Sequence, residues 1–306
     1  MSQQLEHTGL TRQIEPQLSR SIRRDGSYNV LRTGQNWRAF NPWLHVVNMS
    51  WPGFIALVAS VYTTVNFTFA IFYFMMGPDA IHGSAADTET HRFLNDFFFS
   101  GHTLTTVGYG NLAPVGVAAN LTATLEALVG LLAFSIITGL LVARASKPSA
   151  RIEFSRNALI APYEDRTGLM FRVANQRSNN LMELEATVIL VQIVPKNGSM
   201  ERRIEYLSLE RDKVQMFPLT WTIVHPIDES SPLRGATPES LAQQQTEFIV
   251  LMKGFDETFS QTVHTRFSYR AHELVWNAKF VPAFQVAPEG HYILELDRVS
   301  DFQQLN

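Results

Sequence analysis

Two uncharged stretches, each long enough to cross a bilayer, flank an aromatic-rich piece that is too short to do so. This arrangement limits what the chain can fold into. From Ala39 through Pro78 there is no Asp, Glu, Lys or Arg. Within that stretch Trp51 to Met76, wound at ~1.5 Å per residue, spans a hydrocarbon core of roughly 30 Å with some tilt. Ser50 before Trp51-Pro52 predicts a helix cap with proline in the first turn, and Gly77-Pro78 ends the span before a polar loop, 79–92. Val117 to Ala143 is the second span, with Glu126 as its single ionisable residue. Between the spans, Phe93 to Thr105 predicts a short helix that enters the membrane without crossing it. Such backbone is tolerated at membrane depth only where protein buries it or water lines it.

That short helix leads into Thr106-Val107-Gly108-Tyr109-Gly110. A dehydrated cation needs stacked rings of oxygens, and backbone carbonyls supply them if successive peptides all turn inward. Alternating residues then take unusual φ values, which Gly108 and Gly110 tolerate. The Thr106 hydroxyl adds an oxygen ring at the inner end, while Val107 and Tyr109 point away and brace the strand. One chain supplies a quarter of each ring, so a homotetramer about a central axis is expected. TVGYG is the filter sequence of potassium channels, so potassium at these five residues is an identification by motif. A GYG on its own would read as a turn; the flanking spans remove that reading.

Arg12, Arg20, Arg23, Arg24, Arg32 and Arg38 precede the first span, and Arg144, Lys147, Arg151 and Arg156 follow the second, whereas the loop between carries only Arg92. The positive-inside rule therefore places both termini in the cytoplasm, as a multi-pass protein of the plasma (inner) membrane. Trp37 to Asn48 mixes aromatic and polar residues and suits a short helix on the membrane surface. No signal peptide is visible at the start of the chain. Residues 1–36 are either a flexible tail or a sheet-edge strand.

Several chemistries are excluded. The net charge of −3 argues against a nucleic-acid partner, and the absence of cysteine removes disulfides and thiol chemistry. The nine histidines contain no HExxH pattern, and neither a phosphate-cradling glycine loop nor a GxSxG elbow occurs. No enzyme and no cofactor are expected. His225-Pro226-Ile227-Asp228 lacks a nucleophile and reads as a structural turn.

After Pro148 the pattern changes to short β-rich runs. They are Arg151–Ile160, Leu169–Ala174, Glu185–Val194, Arg203–Leu209, Gln215–Val224, Phe248–Met252, Gln261–Phe267, Leu274–Phe280 and His291–Leu296. Turns are expected at Arg166-Thr167-Gly168, Lys196-Asn197-Gly198 and Glu289-Gly290, and Thr237-Pro238-Glu239 opens a short helix. Regular strands without long helices predict a β-sandwich. The expected domains are a tail over 1–36, a surface helix and two-span pore over 37–148, and an all-β sandwich over 149–306.

With Ser50-Trp51-Pro52, Phe97 through Gly110, Thr124-Leu125-Glu126, Ala143-Arg144 through Lys147-Pro148, Phe154-Ser155-Arg156-Asn157-Ala158 and Val224 through Leu233, the chain resembles the bacterial inwardly rectifying potassium channels, the KirBac type. The resemblance covers roughly residues 37 to 300. It implies passive potassium permeation, an immunoglobulin-like cytoplasmic sandwich, and a gate where the inner helices converge. It also implies that Gly130 is a hinge and Val142 the constriction, although relatives often place a larger aromatic there. Leu131, Phe134 and Thr138 fall on one helical face expected to line the cavity; ordinary helix packing is the other reading of that face. Two departures sit beside the filter. His102 and Asn111 stand where relatives carry acids, so carboxylate bracing there is absent. Glu126, in the outer half of its span, marks either a functional site or a structural bond behind the pore helix.

The resemblance further implies that Arg144 and Lys147 meet anionic phospholipid, with Arg151 nearby; plain positive-inside topology is the alternative. His102 either makes the filter pH-sensitive or is fixed neutral by hydrogen bonds. Strong rectifiers carry an acid at the position of Phe134, so block by magnesium and polyamines is expected to be weak, with Glu201, Glu210 and Asp212 as remaining acids. Barium, similar in size to potassium, is an expected blocker. Three functions stay open: an inward-rectifier-type potassium channel, a weakly selective cation channel, and a non-conducting membrane-anchored binding module.

Overall fold

The computed structural model describes residues 20–34, 41–146, 151–196 and 199–305. It divides into a helical unit within Gly34–Lys147 and a β-rich unit that joins Pro148–Asn306 to the N-terminal residues up to Thr33.

In the helical unit, α1 (Pro42–Asn48) starts where the Asn41 side chain accepts the Leu44 amide at 3.1 Å, with proline at the first helical position. The expected segment Trp37–Phe40 lies outside the described residues. α2 (Trp51–Met75) is capped by Ser50 and ends at the Gly77 turn, where φ is +98°. β1 (Ile81–His82) is followed by α3 (Glu89–Leu104), which begins before the expected Phe93. Thr88 accepts the His91 amide at 3.2 Å, and Glu89 in the first turn suits the positive end of the helix. β2 (Ala113–Pro114) pairs with β1, and α4 (Gly116–Ala145) runs unbroken to the end of the unit. Both α2 and α4 are long and apolar enough to span a membrane.

The β unit opens with β3 (Ile152–Phe154), β4 (Ala158–Tyr163) and β5 (Arg166–Asn175). β6 (Leu181–Lys196), β7 (Ser199–Leu207), β8 (Lys213–Met216) and β9 (Thr220–Ile227) follow. The short helix α5 (Pro238–Gln243) carries the expected Thr237 cap. β10 (Glu247–Asp256) and β11 (Gln261–Arg270) form a long hairpin. The chain finishes with β12 (Leu274–Trp276), β13 (Ala278–Phe280), β14 (Phe284–Val286), β15 (Tyr292–Leu294) and β16 (Phe302–Gln304). One sheet is ordered β11-β10-β6-β7 with β8 also on β6; the other is β12-β4-β5-β3 with β9 also on β5. Leu184, Val188, Leu190 and Val250 of the first sheet share one buried cluster with Leu169, Phe171, Val173 and Ile223 of the second. This shared core makes the unit a sandwich.

Several boundaries differ from the sequence expectation, each for a tertiary reason. The reversal expected at Arg166-Thr167-Gly168 occurs earlier, where Glu164 takes φ +51°; those three residues already belong to β5. Gly168 is there because a Cβ would press on Tyr163 and Val224 at 3.1 Å. The run Gln215–Val224 is two strands, since β8 pairs with β6 and β9 with β5. Phe217, 6% exposed, lies between them in the core where the chain changes sheets. Leu274–Phe280 breaks at Asn277, φ +52°. β14 and β16 were not expected; short and exposed, they carry little alternation to detect. Glu289-Gly290 does turn, with Gly290 at φ +87°, whereas Asn197-Gly198 lies outside the described residues.

The described N-terminal residues are a bridged turn in which Ile22 pairs with Tyr28. Ile22 is 2% exposed and packs on Ile189, Val191, Ile204 and Ile249. Polar contacts fix it. The Glu247 carboxylate accepts the Ser21 amide at 3.0 Å, and Glu273 accepts Arg20 at 2.5 Å and Arg24 at 2.6 Å. Burial alone would raise the Glu273 carboxyl. Hydrogen bonds from Arg24 and the Arg270 amide, with the charges of Arg20 and Arg24, outweigh it and hold the group below its ordinary value. A depressed folded-state value stabilises the contact fully above the ordinary glutamate pKa of about 4.3, and this stabilisation is lost as pH falls through the folded value. Amide protection factors over residues 21–29, exchange rates corrected for intrinsic chemistry, should therefore fall on acidification below about pH 4. Glu273→Gln should speed that exchange at neutral pH and shrink the acid step.

Candidate ion-conduction site

The site is built on the C-terminal end of α3. Thr106, Gly108 and Gly110 take φ of +59°, +57° and +84°, and the residues between them do not. Such alternation of hand along the chain is the backbone pattern by which successive carbonyls can be aimed to one side. Thr106 pays for it as a β-branched residue in a left-handed conformation. The turn is held from behind. The Thr103 carbonyl accepts the Thr106 amide at 3.0 Å, and the His102 carbonyl accepts Val107 at 2.9 Å and Gly108 at 3.3 Å. Carbonyls left open at the end of a helix carry its negative pole. Here several take up the amides of Thr105 to Gly108.

His102 meets Tyr109 edge-on, with ring centroids 4.7 Å apart. Thr105 through Asn111 are exposed on the single chain, Tyr109 at 73% and Val107 at 52%. Asn111 follows Gly110, and its backbone carbonyl approaches Gly83.

Glu126 is fully buried behind α3 and accepts two hydroxyl donors, Tyr73 at 2.7 Å and Ser100. Ser100 also contacts the Asn66 carbonyl at 3.0 Å, so α2, α3 and α4 meet at this one cluster. A structural bond is one of the two readings open for Glu126 from the sequence, and neither names Tyr73, Ser100 or Asn66. The only sequence signal was an acid within a span, which demands donors without naming them. Gly130 follows one turn later and abuts the Leu104 carbonyl.

Leu131, Phe134, Thr138 and Val142 lie exposed along a separate stripe of α4. Leu131 and Phe134 also line a hollow of about 410 Å³ with Thr106, Leu104 and Val61. Thr138 bonds back to the Phe134 carbonyl at 2.8 Å, leaving its face unchanged.

The basic residues separate. Arg144 donates to the carbonyls of Val46, Val47 (3.2 Å) and Met49 (2.7 Å), and its guanidinium lies over Trp51 and Phe54 at 4.8 and 4.6 Å. It therefore closes the C-terminal end of α1 onto α4. An anionic headgroup would have to compete with those carbonyls. Arg151 is exposed, and Lys147 lies outside the described residues. In the β unit, His225 is buried and held by the Ser208 carbonyl at 2.6 Å and the Ser231 hydroxyl at 2.8 Å. Its Nδ1 must carry the proton to bond a carbonyl, so in the neutral ring Nε2 accepts from Ser231. Burial pushes this imidazole down from its ordinary value, which suits a structural corner.

Residues 152–306 match the family described as the inward rectifier potassium channel C-terminal domain, and residues 60–147 match the family described as ion channel. The inward rectifier potassium channel Kirbac3.1 of Paramagnetospirillum magnetotacticum is 36% identical over 93% of this chain and 96% of its own length. The mouse ATP-sensitive inward rectifier potassium channel 15 is 26% identical over 86% of this chain and 74% of its own. The rat inward rectifier potassium channel 4 is 30% identical over 72% of this chain and 53% of its own.

Because the hydrogen bonds of the buried Glu126 carboxyl come from two hydroxyls, removing one donor leaves a buried carboxyl oxygen unpaired. Ser100→Ala should lower thermal stability by about 1–3 kcal/mol, measured by unfolding in detergent. Ser100→Thr, which keeps the hydroxyl, should lose less.

Proposed function

This chain belongs to the inward rectifier potassium channel family, and from that premise we propose that four copies enclose one pore that conducts potassium selectively through Thr106–Gly110. The observation that carries the reading is the left-handed φ at Thr106, Gly108 and Gly110, placed at the end of a short helix between two membrane-length helices. Each chain contributes one carbonyl to each ring, and the rings replace the ion's water shell. The exposure of Val107, Tyr109, Leu131 and Phe134 on a single chain supports covering by neighbouring copies and a shared cavity. The negative pole of α3 faces that cavity and favours a cation there.

Below the filter, four Val142 side chains form a hydrophobic constriction that closes by dewetting. The β unit and both termini lie in the cytoplasm, and the pore sits in the plasma membrane. Anionic phospholipid acts at the inner surface, through Arg151 and Lys147 and through Arg144 where a headgroup displaces the α1 carbonyls.

Selective conduction is tested in potassium-loaded liposomes. Rubidium uptake should proceed, barium should block it, and sodium should support little. Equal sodium and potassium permeation overturns the reading.

The second expectation concerns rectification. Phe134, 71% exposed on the single chain, presents to cytoplasmic polyamine only the weak attraction of a ring face, about 0.5–2 kcal/mol. Spermine block in planar bilayers should be shallow in the wild type and much steeper with voltage in Phe134→Asp. Steep block in the wild type that Phe134→Asp leaves unchanged would remove Phe134 from the cavity.

A further inference from the structure

We propose that Gly130 is a positioning residue for the filter, because its missing side chain lets α4 seat against the last carbonyl of α3. The inference rests on the channel reading above and assigns Gly130 a task other than bending.

A Cβ built at Gly130 would lie 2.1 Å from the Leu104 carbonyl oxygen, 2.9 Å from its carbon and 3.2 Å from its Cα. All three atoms are backbone, so no side-chain rotation relieves the clash; one helix would have to move. Gly139, in the same helix, meets nothing within 4 Å. α4 is regular through Gly130, whose φ is not positive. Helix propensity alone favours alanine at such a position. A packing contact supplies a reason for glycine that propensity does not.

The contact belongs to a larger seat. The buried residues of α4 are Ala119, Glu126 and Gly130. Glu126 and Gly130 are one turn apart on α4, and their partners Ser100 and Leu104 are one turn apart on α3. The carbonyls of Gly101, His102 and Thr103 accept the amides of Thr105, of Val107 and Gly108, and of Thr106, whereas that of Leu104 faces the Gly130 Cα, where a C–H···O contact fits. Two residues later Thr106 adopts its strained conformation, which persists only where the surroundings over-determine it. Moving Leu104 away from α4 shifts the first ligand of the ring.

The test compares wild type, Gly130→Ala, Gly139→Ala, Val129→Gly and the double variant Val129→Gly/Gly130→Ala in liposomes, reading the rubidium-to-sodium flux ratio and the barium concentration for half block. In Gly130→Ala the half-block concentration should rise about tenfold or more and sodium should pass. Gly139→Ala and Val129→Gly should keep the wild-type ratio. The double variant restores a flexible glycine one residue away without removing the Cβ, so it should behave as Gly130→Ala does. The proposal is overturned if Gly130→Ala changes only total flux, with ratio and block as in wild type, or if the double variant recovers wild-type behaviour. If Gly130→Ala yields no folded protein, the double variant decides: failure alongside a folded Val129→Gly supports the seat, and a folded, selective double variant overturns it. A wild type that does not discriminate potassium from sodium would instead sink the channel reading.

Discussion

Backbone that turns back at membrane depth must find a partner for each amide and carbonyl it exposes, since lipid offers none. The helical unit meets this demand around residues 100–108. Three carbonyls near the end of α3 take up the amides of Thr105 to Gly108, so the turn into Thr106–Gly110 is closed by the helix that leads to it. Behind it, Glu126 collects hydroxyls from α2 and α3 instead of a cation. Two hydroxyls bond the buried carboxyl oxygens without taking a second ionisable group out of water. The cluster grips Ser100 and the turn begins five residues later on the same short helix, so the packing that fixes α3 also fixes the start of Thr106–Gly110.

The same economy governs the few charges elsewhere in the unit. Its described residues contain two arginines, Arg92 and Arg144, and each donates to carbonyls at the C-terminal end of a neighbouring helix. Arg92 donates to the Phe74 carbonyl at the end of α2, with its guanidinium 3.8 Å over the Phe74 ring. Arg144 does the same for α1 with Trp51 and Phe54. Planar guanidinium suits both tasks, donating in its plane and stacking on its face. In the β unit acids take the complementary part: Glu247 and Glu273 gather amides and guanidinia to hold the bridged turn at residues 20–29.

Much of this was legible in the chain because it is written in local pattern. The two spans, the caps at Ser50 and Thr237, the glycines at 108 and 110 and the sandwich class each follow from a few adjacent residues. Local pattern also marks Glu126 as an acid within a span, which leaves open either a functional site or a structural bond; its burial against Tyr73 and Ser100 is a matter of packing.

What the tertiary structure decided is which distant residues meet. Nothing adjacent to Glu126 announces Tyr73 or Ser100, and nothing near Gly130 announces the Leu104 carbonyl, because these contacts join residues on separate helices. The split of Gln215–Val224 into β8 and β9 is of the same kind: strand propensity runs on, while pairing with two different sheets cuts it. Arg144 shows the difference most plainly. Its sequence position says only that a cation stands at the end of the second span, and folding aims that cation at the carbonyls of α1. Covalent neighbours set conformation and hydropathy; the partner of a long side chain, and the room for a missing one, exist only once helices pack.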